Sequence, residues 1–230
     1  MRQWVAAVIV VWLAACGTDP TPEVNFSPLR PTAEIVEQQP ETVEEQPAPA
    51  PNTAFEDVRF YVEPGFVRSV DYRPLPATET LPSTLEFEFN GYPIGIPRLT
   101  IYPVADFEAI SPGVFAPLRA VLDGSADAAS LSIPDPGGTS TFAAQQQQIT
   151  FPVGEGIRYV TQIDDGPLAD MGLVYVFQGL TTDGTSYILG IFPVSHPESG
   201  TQTEGQPPES FTPNLRVLDD TVGSLVIASP

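Results

Sequence analysis

Three residue types are absent or nearly absent from this sequence, and each scarcity excludes a class of chemistry. All nine basic residues are arginine, so the chain has neither a Schiff-base lysine nor the lysine of a phosphate-binding loop. The one histidine, His196, leaves no second imidazole for a zinc site. The one cysteine cannot form a disulfide within the chain. We therefore predict no cofactor.

Positive charge is also scarce. The 29 acidic side chains outnumber the basic ones and give a formal net charge of −20. Because binding to a phosphate backbone requires a basic face, nucleic acid is excluded as a partner.

The cysteine, Cys16, follows an apolar run. Arg2 precedes an uncharged segment from Trp4 to Ala15. This segment is shorter than the roughly 20 apolar residues that a membrane-spanning helix needs. A basic start, a short apolar core and small residues before the end are typical of a secretory signal.

The sequence Leu13-Ala14-Ala15-Cys16 resembles the lipobox of bacterial lipoproteins. The resemblance implies that residues 1–15 are removed and that Cys16 carries a diacylglyceryl group, with a fatty acid such as palmitate on its new amine. Two acyl chains hold a protein on a membrane stably. Gly17 stands where an Asp would imply retention at the inner membrane, so the resemblance implies an outer membrane if one is present. The alternative is a plain secretory signal that contains a cysteine.

Residues 16–54 are predicted to form a lipidated cysteine followed by a disordered tether. The segment is rich in proline and acidic residues, and Arg30 is its only basic residue. Such a composition buries too little apolar surface to offset the entropy of ordering. The alternative function of this segment is binding to a proline-recognising partner.

Residues 55–230 are predicted to fold as one domain, which begins with a β-hairpin. Leu85, Phe87 and Phe89 alternate with polar residues, as in a strand with one solvated face. Residues 98–102 are its predicted partner, and Asn90-Gly91 favours a tight turn between the two strands.

Four apolar runs rich in β-branched and aromatic residues predict a meander of strands at residues 149–153, 157–163, 173–180 and 186–192. The last two runs are apolar on both faces, which indicates strands covered on both sides. Asp183-Gly184 predicts a type I′ hairpin turn between them.

Helical patterns are shorter. Residues 106–110 favour one turn, and a second helix is predicted to end at Asp123-Gly124. A third is predicted after Pro213, with its apolar face opposite Asp219-Asp220, and residues 224–228 are predicted to return to the sheet as a strand. This order predicts an α+β domain with a mainly antiparallel sheet and two or three short helices. The alternative is an all-β sandwich, because the helical patterns are short and contain prolines such as Pro117.

Several segments of the body resemble uncharacterised bacterial lipoproteins. They are GIRYVTQ at 156–162, YVFQGLTTDGTSY at 175–187, FTPNL at 211–215 and SL at 224–225. The resemblance implies no activity. The predicted ending, a helix and a strand after a hairpin, is also similar in outline to the PsbP/Mog1-like fold, and fold alone does not determine function.

Polar residues within the apolar strands are candidates for a ligand pocket. Arg158 and Gln162 share a strand face with Val160, and Gln178 lies on the predicted neighbouring strand. An arginine in such a patch can receive an anion. The alternative is that Arg158 forms a salt bridge to one of the many acids.

Two further groups of residues are of types found in functional sites. Asp164, Asp165 and Asp170 crowd one loop and could hold Ca²⁺, but the segment lacks EF-hand spacing, so an acidic hairpin loop is the favoured interpretation. His196 follows Ser195 directly, and neighbours in an extended chain point apart, so this pair is not a predicted nucleophile and base.

The sequence therefore predicts a lipoprotein of the cell envelope, anchored by lipid on the extracytoplasmic side of a bacterial membrane. Its body is expected to bind an envelope protein or a small-molecule ligand without catalysis. The alternative is an extracytoplasmic hydrolase that uses a carboxylate pair.

Overall fold

The computed structural model describes residues 47–134, 137–163, 172–198 and 200–228. Ten strands and three α-helices lie in these ranges: β1 Thr53–Phe55, β2 Val58–Phe60, β3 Ser69–Leu75, β4 Thr84–Asn90, β5 Arg98–Pro103, α1 Val104–Ile110, α2 Ala116–Leu122, β6 Ala144–Phe151, β7 Gly154–Gln162, β8 Leu173–Thr181, β9 Ser186–Val194, α3 Leu215–Gly223 and β10 Val226–Ile227. Within these ranges the fold is β-rich, with two antiparallel sheets and three α-helices.

The larger sheet has the order β3-β4-β5-β9-β8-β7-β6, and every neighbouring pair is antiparallel. The predicted meander is confirmed as β6 to β9, and the predicted hairpin partners are confirmed as β4 and β5. The central strands are buried on both faces because apolar side chains occupy both parities of β8 and β9.

Each face of the large sheet carries its own apolar core. On one face, which we call the α3 face, Phe87, Phe177 and Phe192 pack with α3 and with the smaller sheet. On the other, the α1–α2 face, Tyr159 and Tyr187 are among the buried residues that pack with α1 and α2. Direct cross-strand partners share a face, so the register assigns every strand residue to one core or the other.

The smaller sheet has the order β1-β2-β10. Its first strand begins at Thr53, so the structured body starts before residue 55, within the segment assigned to the tether. The Asn52 side chain fixes this start, since its amide donates to the Val62 carbonyl at 2.8 Å and accepts from the Val62 N–H at 2.9 Å.

The predicted type I′ turn between β8 and β9 is wrong. That turn requires positive φ at both central residues, and only Gly184 has it, with φ of 71°. The connection is four residues long, and Asp183 Oδ1 accepts hydrogen bonds from the Thr185 N–H at 3.0 Å and from Thr181 Oγ at 2.7 Å. This side-chain turn replaces the expected tight one.

The predicted return of residues 224–228 to the main sheet is also wrong. The strand is β10, and it pairs with β2 in the smaller sheet. Ser224 stabilises the pairing of β10 with β2. Its hydroxyl, just after the end of α3, accepts a hydrogen bond from the Tyr61 N–H at 2.7 Å.

Among the helices in the described ranges, none is both long enough and apolar enough to cross a membrane.

Candidate functional site

Arg158 lies on β7 and points to the α3 face, where it is only 3% exposed. Its guanidinium is surrounded by acceptors. Nη1 donates to the Gln145 carbonyl, and Nη2 donates to Gln147 Oε1 at 2.6 Å. Nε lies 3.2 Å from Oδ1 of Asp219. Of the two alternatives for Arg158, the structure therefore shows the salt bridge.

The partner, Asp219, extends from α3. It follows Leu218, whose side chain is fully buried, so Asp219 lies on the flank of the apolar stripe of the helix and faces the sheet. The Tyr175 hydroxyl donates to its Oδ1 at 3.0 Å. A buried arginine, a carboxylate and a tyrosine thus form one network between β7, β8 and α3. The prediction that Asp219 lies opposite the apolar face of the helix is wrong, because its carboxylate contacts Arg158 and Tyr175 on the sheet.

Burial dominates the electrostatics of this network. Loss of solvation raises the pKa of Asp219 above its ordinary value, and the positive charge of Arg158 only partly opposes that effect. The pKa of Tyr175 is raised as well, first by burial and then by the negative charge of Asp219.

A β-bulge in β6 supplies the acceptors for Arg158. The register shifts between Ala144 and Gln147, and Gln145 adopts a left-handed φ of 56°. The Gln145 side chain holds the bulge, since Nε2 donates to the Thr203 carbonyl at 2.6 Å and to the Gln206 carbonyl at 2.9 Å. The bulge thereby turns the Gln145 carbonyl toward the guanidinium.

A surface cleft of about 350 Å³ opens beside the network, between β6, α3 and the first described residues of the chain. We call it the α3–β6 cleft. Its lining residues are Pro47, Ala48, Gln147, Ile149, Thr150, Asp219, Asp220 and Gly223.

Asp220 differs from Asp219 in having no cationic partner. None of the arginines in the described ranges forms an ion pair with it. Burial raises the pKa of Asp220, and the negative charge of Glu63 raises it further. A half-buried carboxylate with a raised pKa in a cleft is a candidate functional group. It can accept a hydrogen bond from a cation or take up a proton.

The three predicted pocket residues do not come together. Arg158 pairs with Phe177 across β7 and β8, whereas Gln178 pairs with Ile157 and therefore lies on the α1–α2 face. Gln162 has the parity of Arg158 but is exposed at the end of β7. The expectation of one shared patch is wrong because the register between β7 and β8 separates Gln178 from Arg158.

Gln178 instead belongs to a buried polar group of its own. Its Nε2 donates to the Tyr159 hydroxyl at 2.9 Å, and its Oε1 accepts from the Tyr187 hydroxyl at 2.9 Å. Burial raises the pKa of Tyr159 to about 12. With both ends of its amide occupied by protein groups, Gln178 serves the α1–α2 core.

The other predicted sites fall outside the described residues. Cys16 lies there, and so do Asp164, Asp165 and Asp170, the candidate Ca²⁺ ligands. Within the described part of the chain, no group of three or more His, Cys, Asp or Glu side chains is arranged to hold a metal ion.

The fold brings a serine to His196 that the sequence did not indicate. Ser195 and Thr212 form a β-bridge, and Ser210 Oγ lies 3.0 Å from Nε2 of His196. The Glu198 N–H donates to Nδ1 at 2.9 Å, which places the proton of the neutral ring on Nε2. His196 therefore donates to Ser210.

Ser210 in turn donates its hydroxyl proton to the Pro207 carbonyl at 2.6 Å. Here the histidine donates to the serine. In a catalytic pair the serine donates to the histidine, which removes its proton. The arrangement joins two loop segments rather than activating Ser210.

A second open cavity, of about 440 Å³, lies at the end of α2. Its three charged side chains already have partners: Arg119 contacts Glu108 at 2.9 Å, Asp123 accepts from the Ser125 N–H at 2.9 Å, and Glu155 accepts from Gln148 at 3.1 Å. The α3–β6 cleft is the stronger candidate because Asp220 has no such partner.

Sequence reasoning missed Asp219 and Tyr175 as companions of Arg158. One signal was present, because Asp219 directly follows a core leucine in the predicted helix. A carboxylate at that position faces the edge of the core, where a buried arginine would attract it.

The chain matches no protein-family model, no curated protein and no solved structure. The resemblances to bacterial lipoproteins and to the PsbP/Mog1-like fold stay predictions.

Proposed function

We propose that the protein is a bacterial lipoprotein, held by an acylated Cys16 on the extracytoplasmic side of a membrane, and that its body binds an envelope protein or a small ligand. The observation that carries this proposal is the position of the only cysteine of the chain, directly after the small residues that end a signal-like apolar run.

The α3–β6 cleft supports a binding role for the body. Asp219 and Arg158 neutralise each other beneath the cleft, and Tyr175 fixes the carboxylate in place. Asp220 is left with its charge directed to an open cavity. The cleft therefore offers a ligand fixed polar groups and an apolar contact at Ile149.

Cell fractionation tests the location. Wild-type protein is expected in the membrane fraction and exposed to added protease outside the cytoplasm, whereas Cys16→Ser is expected in the soluble extracytoplasmic fraction or with an uncut signal. Gly17→Asp is expected to move the protein to the inner membrane in a two-membrane bacterium, and Thr18→Ser is the matched control. Unchanged membrane retention of Cys16→Ser would refute the anchor.

A hydrolase that uses a carboxylate pair is the second candidate function. It is favoured by one observation: Asp219 and Asp220 line the same cleft, and both have a raised pKa. The full chain in detergent can be tested against glycan, ester and peptide substrates. Activity that disappears in Asp220→Asn, but persists in Asp71→Asn on the distant strand β3, would establish the hydrolase and contradict the binding role.

We further propose the α+β class for the fold, and with it the outline of the PsbP/Mog1-like fold. Helices pack on both faces of the large sheet, whereas in a sandwich two full sheets pack on each other through their inner faces. An experimental structure that places a second full sheet over the α1–α2 face would contradict this assignment.

A further inference from the structure

The last strand of the large sheet, β6, has an edge without a neighbouring strand in the described residues. The hairpin between β6 and β7 has a two-residue loop, which is closed by Phe151 and Gly154. Phe151 and Gly154 therefore form a hydrogen-bonded pair. Hydrogen-bonded pairs alternate along an antiparallel ladder. The backbone N–H and C=O groups of Gln148 and Thr150 consequently point away from β7, toward the open edge.

The two halves of this edge differ. At the bulge, the Gln145 N–H donates to Glu204 at 2.9 Å, and the loop that carries Glu204 covers the edge. Beyond the bulge, Thr150 is exposed and lines the α3–β6 cleft. Natural proteins usually block the exposed edges of their sheets. Here the edge of β6 is blocked at the bulge and is left open beside the cleft, so the open half is a place where a further strand can be added.

The cleft provides side-chain contacts next to these backbone groups. Asp220 forms an acidic wall, and its charge is not balanced by an arginine in the described ranges. Ile149 and Gly223 form an apolar surface on the same side. A strand that pairs with β6 would place alternate side chains against this wall.

We propose that the α3–β6 cleft binds an extended, basic segment of a partner protein, which pairs with β6 at Gln148 and Thr150 and sets a lysine or arginine against Asp220. This inference rests on the proposed binding function and names the chemistry of its partner. Charge complementarity favours a basic partner over a second copy of the chain. The chain carries a net charge of −20, so two copies would repel each other.

The test uses the full chain in detergent and a blocked hexapeptide of alternating valine and lysine. We expect saturable binding by titration calorimetry that weakens as salt is added. The peptide in which glutamate replaces lysine is expected not to bind. Hydrogen exchange at the amides of Gln148 and Thr150 is expected to slow in the complex and not at the buried strand β8.

Two variants separate the contacts. Asp220→Asn is expected to weaken binding of the basic peptide about tenfold, the loss of one charge-assisted hydrogen bond. Asp71→Asn, on the opposite edge strand, is the matched control and is expected to bind as the wild type does. Thr150→Pro removes one outward N–H and is tolerated on an edge strand, so it is expected to weaken binding while circular dichroism stays unchanged.

Several results would overturn the inference. Equal binding of the glutamate peptide, or unchanged affinity in Asp220→Asn, would show that the cleft does not select a cation. Equal affinity for free cadaverine, without slowed exchange in β6, would show a small-cation site instead of strand addition. Self-association through β6 would identify a second copy as the occupant.

The inference and the proposed function can fail separately. If the peptide does not bind, but an envelope protein crosslinks to the body and is unaffected by Asp220→Asn, the binding function stands and the cleft is not its site.

Discussion

At the scale of single residues, one buried ion pair joins the large sheet to α3. Arg158 is almost fully buried, and its charge is balanced by Asp219, whose side chain is 18% exposed. Removing one member of such a pair leaves an uncompensated buried charge, which costs more than the pair itself contributes.

Arg158→Met is expected to lower the free energy of unfolding by about 3 kcal/mol, because Asp219 is left without its counter-charge. The double variant Arg158→Met with Asp219→Leu is expected to recover most of this loss. Chemical denaturation of the two single variants and the double variant measures the coupling. Additive effects would show that the two side chains do not interact.

Asp220 is expected to reduce stability at neutral pH. Its pKa is raised above 3.8 in the folded protein, so the folded state binds the proton more tightly than the unfolded chain does. Stability is therefore lost as the pH rises from about 3.8 through the folded pKa. Asp220→Asn is expected to raise Tm near pH 7 and to leave it unchanged near pH 3.

Asp183 is the control with the opposite sign. Hydrogen bonds from Thr181 and Thr185 lower its pKa, so its carboxylate adds stability that is present above the ordinary pKa of 3.8 and is lost as the pH falls through the folded pKa. Asp183→Asn is expected to lower Tm near pH 7. A rise in Tm near pH 7 for both Asp220→Asn and Asp183→Asn, or for neither of them, would contradict the opposite effects expected of the two carboxylates.

At the scale of elements, the aromatic ring of Phe177 explains two glycines in the central strands. A Cβ at Gly156 would lie 2.5 Å from this ring, and one at Gly179 would lie 2.9 Å from it. The ring occupies the space above both residues, so β7 and β8 need glycine at these positions.

Gly156→Ala is expected to destabilise the protein by about 1–3 kcal/mol through overpacking. Gly223→Ala, at the end of α3, is the matched control, since its Cβ would meet Ala48 at 3.4 Å and Ile149 at 3.5 Å, which are ordinary contacts. That control is expected to be neutral or slightly stabilising, because alanine is the better helix former. Equal destabilisation by the two substitutions would contradict the role of Phe177.

The elements also show how far sequence reasoning extends. Runs such as 173–180 predict strands because periodicity is local, and the structure confirms β8 there. The β7–β8 register is not local: it places Gln178 on the opposite face from Arg158, which no pattern in either strand indicates. The strand at 224–228 is likewise predicted from a local pattern, but its pairing with β2, which joins the two ends of the body, is not.

At the scale of the whole molecule, the acidity of the chain and its proposed anchor each restrict the choice of partner. Scarcity of positive charge leaves Asp220 without a partner in the described residues, and this favours a basic partner over a second copy. The proposed anchor would restrict that partner to proteins that meet the chain outside the cytoplasm. The binding role and the lipid anchor are thus separate claims, and the anchor can be measured without knowing the partner.

Intact mass spectrometry of the protein extracted from membranes tests the anchor most directly. We predict a chain that begins at Cys16 and carries two fatty acyl chains on a diacylglyceryl thioether at its sulfur, with a third chain in amide linkage where the new amine is acylated. Cys16→Ser is predicted to lack this addition. A mature chain that begins at another residue, or an unmodified Cys16 in membrane-bound protein, would contradict it.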